Sequence, residues 1–163
     1  MRLCLALCLL VCSFTSVANL AKPQGPIVLT VRGLIEETNR GKDADFDLAM
    51  LQSLPQYNIT TLHPWIESRH SYKGPRLADV LSQVGAHSQQ LTLVALNDYQ
   101  VDLDFDEIAK FNPILAWSEN DRVMKVRDKG PLWLMLPIDE YPELLQIPYN
   151  DFMVWQLRSI IVK

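Results

Sequence analysis

The side chains best suited to covalent chemistry stand where a folded domain cannot use them. All three cysteines, Cys4, Cys8 and Cys12, fall in the opening MRLCLALCLLVC. If that stretch is removed, no thiolate remains to act as nucleophile or metal ligand. His63, Glu67 and His70 invite a zinc reading, yet two histidines seven positions apart around a proline match no common ligand spacing on a helix or hairpin. His87 falls in an expected loop and reads as solvated. Ser68 beside Arg69 lacks the glycine-flanked strand-to-helix turn that exposes a nucleophile. Asp102, Asp104 and Asp106 alternate just ahead of an expected helix start, where acids favour the helix dipole without any catalytic role. A hydrolase therefore has no residue to nominate.

The opening stretch itself reads as a leader. Arg2 precedes an apolar run from Leu3 to Val11, and the small residues that follow end in Ser16-Val17-Ala18, which predicts signal-peptide cleavage after Ala18. Acylation of Cys12 is the competing reading, disfavoured by Val11 where a small residue is wanted. Arg2 has no arginine neighbour, so the export route for folded proteins is not indicated, and the chain is expected to reach the periplasm unfolded and empty. No later stretch of about 18 apolar residues offers a membrane span.

Cleavage of 18 residues from 163 leaves 145, enough for one domain to bury roughly two-thirds of its unfolded surface. Loss of Arg2 leaves 14 basic against 19 acidic residues, dispersed along the chain, which argues against a nucleic-acid partner held through phosphates. No internal repeat is found. Residues 19–26, with two prolines and a glycine, read as a linker, and the domain proper as 27–163.

The elements that must position any site are short. Ile27–Arg32 is β-branched and stops at Gly33; Asp47 caps a short helix through Leu48, Leu51 and Leu54 that Pro55 halts; Asn58–Leu62 is a second strand. The stretch Ile66–Lys73 reads as a loop. Gly74-Pro75 opens a helix whose Leu77, Val80, Leu81 and Val84 fall at i, i+3, i+4 and i+7, with Gly85 as its stop. Leu91–Leu96 and Gln100–Leu103 read as strands around Asn97-Asp98-Tyr99, and Asp104 with Glu107 as a capping box for a helix that Pro113 ends. Ile114–Ser118 and Arg122–Val126 form an expected hairpin, followed by strands at Leu132–Leu136 and Phe152–Val162. The sum is a single mixed α+β domain, strand-rich with short helices.

The order of these motifs resembles the molybdopterin-binding domain of sulfite-oxidase-type oxidoreductases, and more closely the small exported single-domain pterin-binding receptors of that fold. The resemblance is carried by Val31-Arg32-Gly33-Leu34, Ile59-Thr60-Thr61, Trp65, Gly74 with Leu77-Ala78-Asp79-Val80-Leu81, Ala95-Leu96-Asn97-Asp98-Tyr99, Pro113-Ile114-Leu115-Ala116 and Asp128-Lys129-Gly130-Pro131-Leu132-Trp133. It spans nearly all of residues 27–163. It implies that the molybdenum-ligating cysteine of the enzymes, four residues before a tryptophan like Trp65, is replaced here by Thr61, whose hydroxyl is no substitute for a soft thiolate. No molybdenum is expected, and a free pterin, not covalently bound, is the expected ligand.

A pterin presents an amino group and a ring N–H side by side, so one carboxylate can accept both, and its flat face calls for an aromatic partner. Asp98 or Asp128 is the expected carboxylate; Trp65, Tyr99 or Trp133 the expected stacking ring; Arg69, Arg127 and Lys129 are placed to hold a polar or phosphorylated tail. Each has a plainer reading. Asn97-Asp98 is a common turn pair, Arg127-Asp128-Lys129 a charged loop, and Trp133 alternates with Leu132 and Leu134 on a strand and so can face the core. Trp155 and Trp117 are expected to pack inside. The resemblance implies a non-enzymatic receptor that docks on the extracytoplasmic domain of a membrane signalling protein controlling cyclic-dinucleotide turnover. The alternatives are a molybdopterin oxidoreductase with a non-cysteine metal shell, and a scaffold domain with an empty cleft.

Overall fold

Strand propensity is realised as three sheets. The computed structural model describes residues 20–163, so the expected leader, its cleavage site and the three cysteines lie outside the described residues. β1 (Ile27–Gly33) is an inner strand of a five-stranded sheet in the order β2-β1-β11-β5-β6, where β2 is Asp43–Asp47, β5 Gln90–Ala95, β6 Gln100–Asp104 and β11, at the centre, Leu157–Val162. β1 and β11 run parallel and the other neighbours antiparallel. The alternating apolar residues of β1, Leu29 and Val31, are fully buried, as are Leu93 of β5 and Ile160 of β11. That regular alternation is the period-2 pattern of a strand with one face inward.

A four-stranded antiparallel sheet follows the order β3-β4-β8-β9, with β3 at Tyr57–Thr61, β4 at His70–Gly74, β8 at Ser118–Glu119 and β9 at Arg122–Val123. The third sheet pairs β7 (Ile114–Ala116) with β10 (Trp133–Met135). Gly74 is where β4 and β7 meet: a Cβ there would lie 2.0 Å from the Leu115 carbonyl oxygen, so only glycine permits the approach. The predicted helix after Gly74-Pro75 is α2 (Leu77–Gln83); Leu77, Val80, Leu81 and Val84 are all buried, and Gly85 closes it with φ of 58°. α1 (Leu48–Ser53) is capped as expected, the Asp47 carboxylate accepting from Met50 N at 2.9 Å.

Several expectations are corrected. β2 lies in a stretch to which the sequence reading assigns no element, and β4 in the stretch read as a loop; polar Asp43, Asp45, His70 and Lys73 mask their alternation, while neighbouring strands supply the ladder partners. Phe152–Val162 is not one strand: Tyr149–Phe152 is a 3₁₀ turn, and Gln156, at φ of 51°, breaks the chain before β11. The strand expected at Ile114–Ser118 divides into β7 and β8, and Asn120-Asp121, both with positive φ, make the tight turn into β9. At α3 (Phe105–Ala109), Asp104 accepts from Asp106 N instead of completing a capping box with Glu107. Residues 20–25 are held against the sheet. Leu20 is buried, and Gln24 N and Gly25 N donate to Asp47 Oδ2 at 2.7 and 2.8 Å.

Candidate aromatic ligand site

Four segments from different parts of the chain converge beside the small sheets. The turn after β3 brings His63 and Trp65, β4 brings Tyr72, β10 brings Trp133, and the residues just before β11 bring Trp155, which bridges to Trp133. The rings pack largely edge-to-face or tilted: Trp65 to Trp155 at 5.2 Å between centroids, His63 to Trp133 at 4.9 Å, Tyr72 to Trp133 at 5.7 Å. Into this cluster reaches Lys129, whose Nζ stands 4.7 Å from the Trp133 ring centre, 5.4 Å from Trp65 and 5.5 Å from Trp155. Burial makes the Lys129 ammonium easier to deprotonate, opposed by the nearby Glu119 carboxylate.

Beneath the indoles runs a chain of hydrogen bonds. The Tyr72 hydroxyl donates to Glu119 Oε1 at 2.8 Å, and His70 Nδ1 donates to the same oxygen at 2.8 Å. With its proton committed there, the Tyr72 oxygen accepts from His63 Nε2 at 2.7 Å. His63 is thereby fixed as the neutral Nε2–H tautomer, its Nδ1 facing the backbone N–H of Trp65 at 3.4 Å. Burial pushes the His63 imidazolium down to about 4, with the Lys129 charge acting in the same direction, and burial raises the Tyr72 phenol above its ordinary range.

A pH dependence of stability follows. His63 titrates near 6.5 when unfolded and near 4 when folded, so between these values the unfolded chain binds the extra proton. Its contribution is complete above about pH 6.5, declines as pH falls, and is gone below about pH 4, a loss of roughly 3 kcal/mol. Denaturant unfolding across this window should show that decline in the parent and a much flatter profile in His63→Gln; parallel profiles would place the titrating group elsewhere.

The open part of the site is a cleft of about 250 Å³ lined by Trp65, Tyr99, Met153 and Trp155, with Asn97, Asn150 and Asp151 as its polar groups. Trp65, Trp155 and Tyr99 each expose more than a third of their surface, and Asn150 Oδ1 is buried with no hydrogen-bond partner among the described residues. Trp65 and Tyr99, two of the alternative stacking rings, line the same cleft, and Lys129 stands against the indoles of Trp65 and Trp155. Trp155 corrects the expectation of core packing: it is 37% exposed and forms a wall. Trp133, an expected stacking ring, is 1% exposed and lies outside the cleft lining as the floor of the ring cluster, its Nε1 donating to Met153 O at 3.0 Å. Trp117 is partly buried as expected, its Nε1 donating to Gln56.

The other candidates lie apart from the cleft or are already paired. Asp98 sits at φ of 65° on the β5–β6 turn, its side chain 76% exposed and paired with Arg158. Arg127 and Asp128 face each other at 3.6 Å along a separate polar groove with Arg122 and Lys125. Arg69 is engaged by Asp139, and that hydrogen bond, with another from Leu62 N, holds the Asp139 carboxyl below its usual range. Asn150 and Asp151 escaped the sequence reading because they lie in the proline-rich connection between the strands expected at Leu132–Leu136 and Phe152–Val162, where no spacing singles them out.

Thr61 tests whether the metal of the oxidoreductases fits. Its side chain is fully buried, and its hydroxyl donates to Leu62 O and accepts from Asp139 N, each at 3.1 Å. With its proton given to one backbone carbonyl and one lone pair taken by a backbone N–H, the hydroxyl has no ready route to deprotonation, and a hard neutral oxygen does not fit a molybdenum ligand. Among the described residues no cluster of three histidine, cysteine or carboxylate side chains is arranged to hold a metal.

No protein-family model matches the chain, and no curated protein matches it. Among solved structures it is similar to the sulfane dehydrogenase SoxCD of Paracoccus pantotrophus, with a TM-score of 0.60 and 15% identity. The match covers 82% of this chain and 37% of the length of that one. The domain therefore has an α+β fold of the sulfite-oxidase, molybdopterin-binding type. Among the described residues no helix is long and apolar enough to cross a membrane.

Proposed function

We propose that the protein is a non-enzymatic receptor for a free pterin, exported to the periplasm, that reports ligand occupancy to the extracytoplasmic domain of a membrane signalling protein. One observation carries the ligand reading: in a fold of the molybdopterin-binding type, an open cleft is walled by the rings of Trp65, Tyr99 and Trp155. Such a cleft offers ring faces to a flat bicycle and no group that would transform it. The donor edge of the pyrimidinone is assigned to the Asp151 carboxylate, which lines the cleft; Asp98 and Asp128 are already paired with arginines. The partner reading rests on the sequence resemblance. It requires that the partner bind the loaded and empty receptor unequally, since equal affinity shifts nothing.

Titration of oxidised and reduced pterin against indole fluorescence tests the reading. Saturable quenching is expected, with Asp151→Asn weakening it by about one decade or more. Elemental analysis of protein made in a molybdenum-cofactor-producing host is expected to find no stoichiometric metal. Absence of any pterin binding, or stoichiometric molybdenum with turnover of a sulfite or sulfoxide, would refute the proposal.

A further inference from the structure

Among the cations of this neighbourhood, Lys129 is set apart. Arg69 is engaged by Asp139, Arg158 by Asp98 and Arg127 by Asp128. The Lys129 ammonium has no carboxylate within ion-pair distance and no hydrogen-bond acceptor among the described residues; it is flanked by the faces of Trp65, Trp133 and Trp155. Indole faces attract a cation but present no lone pair along an N–H direction, so the three donors are left for something else. The backbone holds the residue there. Lys129 adopts φ of 66° after the 3₁₀ turn Val126–Asp128, its carbonyl accepts from Gln156 N at 2.8 Å, and Gly130 N donates to Lys125 O at 2.8 Å. That turn leaves Arg127 and Asp128 outside while Lys129 reaches the indoles. Two of those indoles, Trp65 and Trp155, are walls of the open cleft.

Resting on the reading of that cleft as a pterin site, we propose that Lys129 is its specificity-determining residue: the ammonium donates to an electron-rich oxygen on the edge of the bound bicycle, a ring carbonyl or its enolate. The site thereby selects oxo-pterins over pteridines that carry an amino group at the same position. The choice follows from complementarity. An exocyclic amine turns N–H toward an ammonium and gains nothing, whereas a ring carbonyl supplies the missing acceptor in a partly dry surrounding. The lowered proton affinity of Lys129 in the empty protein agrees with an ammonium short of polar partners, a deficit the ligand oxygen removes.

The test compares pterin with 2,4-diaminopteridine, which shares the bicycle but replaces the ring oxygen by an amine and the adjoining ring N–H by a bare nitrogen, in fluorescence titrations near neutral pH. The parent is expected to prefer pterin by about ten- to a hundredfold. Lys129→Met should lower that ratio about tenfold by weakening pterin alone, and Lys129→Gln, which keeps a neutral donor, should lower it less. Equal binding of the two compounds by the parent, or a preference undiminished in both variants, overturns the role of Lys129 and leaves the ring-binding reading standing. If neither compound binds the parent, the pterin reading falls and this inference falls with it. Should Lys129→Met fail to fold, the ratio in Lys129→Gln carries the test.

Discussion

Trp133→Ala is expected to destabilise the protein by about 3 to 5 kcal/mol, the range for removing a large buried aromatic side chain. The indole is nearly inaccessible and lies edge-on to His63, Tyr72 and Trp155 at centroid separations of 4.9, 5.7 and 6.2 Å. Its loss leaves a cavity at the centre of the ring cluster, deprives the Met153 carbonyl of its 3.0 Å donor, and removes the ring closest to the Lys129 ammonium. The surroundings can collapse only partly, because Tyr72 is tied to Glu119 and His63, and β10 is held in register by β7. Equilibrium unfolding in denaturant gives the value. A change below about 1 kcal/mol would mean that the cluster repacks around the gap and that Trp133 is not its floor.

Trp155→Ala should behave in the opposite way, with stability nearly kept and ligand affinity lost. More than a third of this side chain is in contact with solvent, it makes no side-chain hydrogen bond among the described residues, and one face borders the open cleft. Stacking of a flat heterocycle on an indole contributes about 1 to 3 kcal/mol where it has been measured for nucleic-acid bases, so a loss of roughly one to two decades in pterin affinity is expected. The thermal midpoint of the empty variant serves as the control. Unchanged affinity with an unchanged midpoint would move the bicycle off Trp155 and onto another surface; a fall in midpoint as large as that of Trp133→Ala would return Trp155 to the core.

These two residues show where reading the sequence succeeds and where it stops. Both tryptophans are flanked by apolar neighbours, Leu132 and Leu134 in one case and Val154 and Leu157 in the other, and local pattern alone favours the interior for both. The difference lies in Gln156, whose left-handed backbone interrupts the strand directly after Trp155 and turns that indole to the cleft, while Trp133 stays within β10. A glutamine has no marked preference for that conformation, so nothing at that position announces it. β4 was hidden for a related reason. Its His70, Ser71 and Lys73 face polar neighbours across two ladders, and only pairing with β3 and β8 makes them a strand and brings Tyr72 to Glu119.

The sequence by itself determined what depends on neighbours within a few positions: the buried stripe and glycine stop of α2, the Asp47 cap of α1, the alternation of β1 and the mixed α+β composition. Propensity, periodicity and capping are local, and they are legible without coordinates. Only the tertiary structure decided which indoles form walls and which the floor, that Asp98, Asp128 and Arg69 are already paired, that Asn150 has an oxygen without a partner among the described residues, and that Lys129 stands among three rings from distant segments. Such facts depend on chain crossings tens of residues apart, such as Lys129 with Trp65 or Arg158 with Asp98, where no short-range rule of spacing reaches.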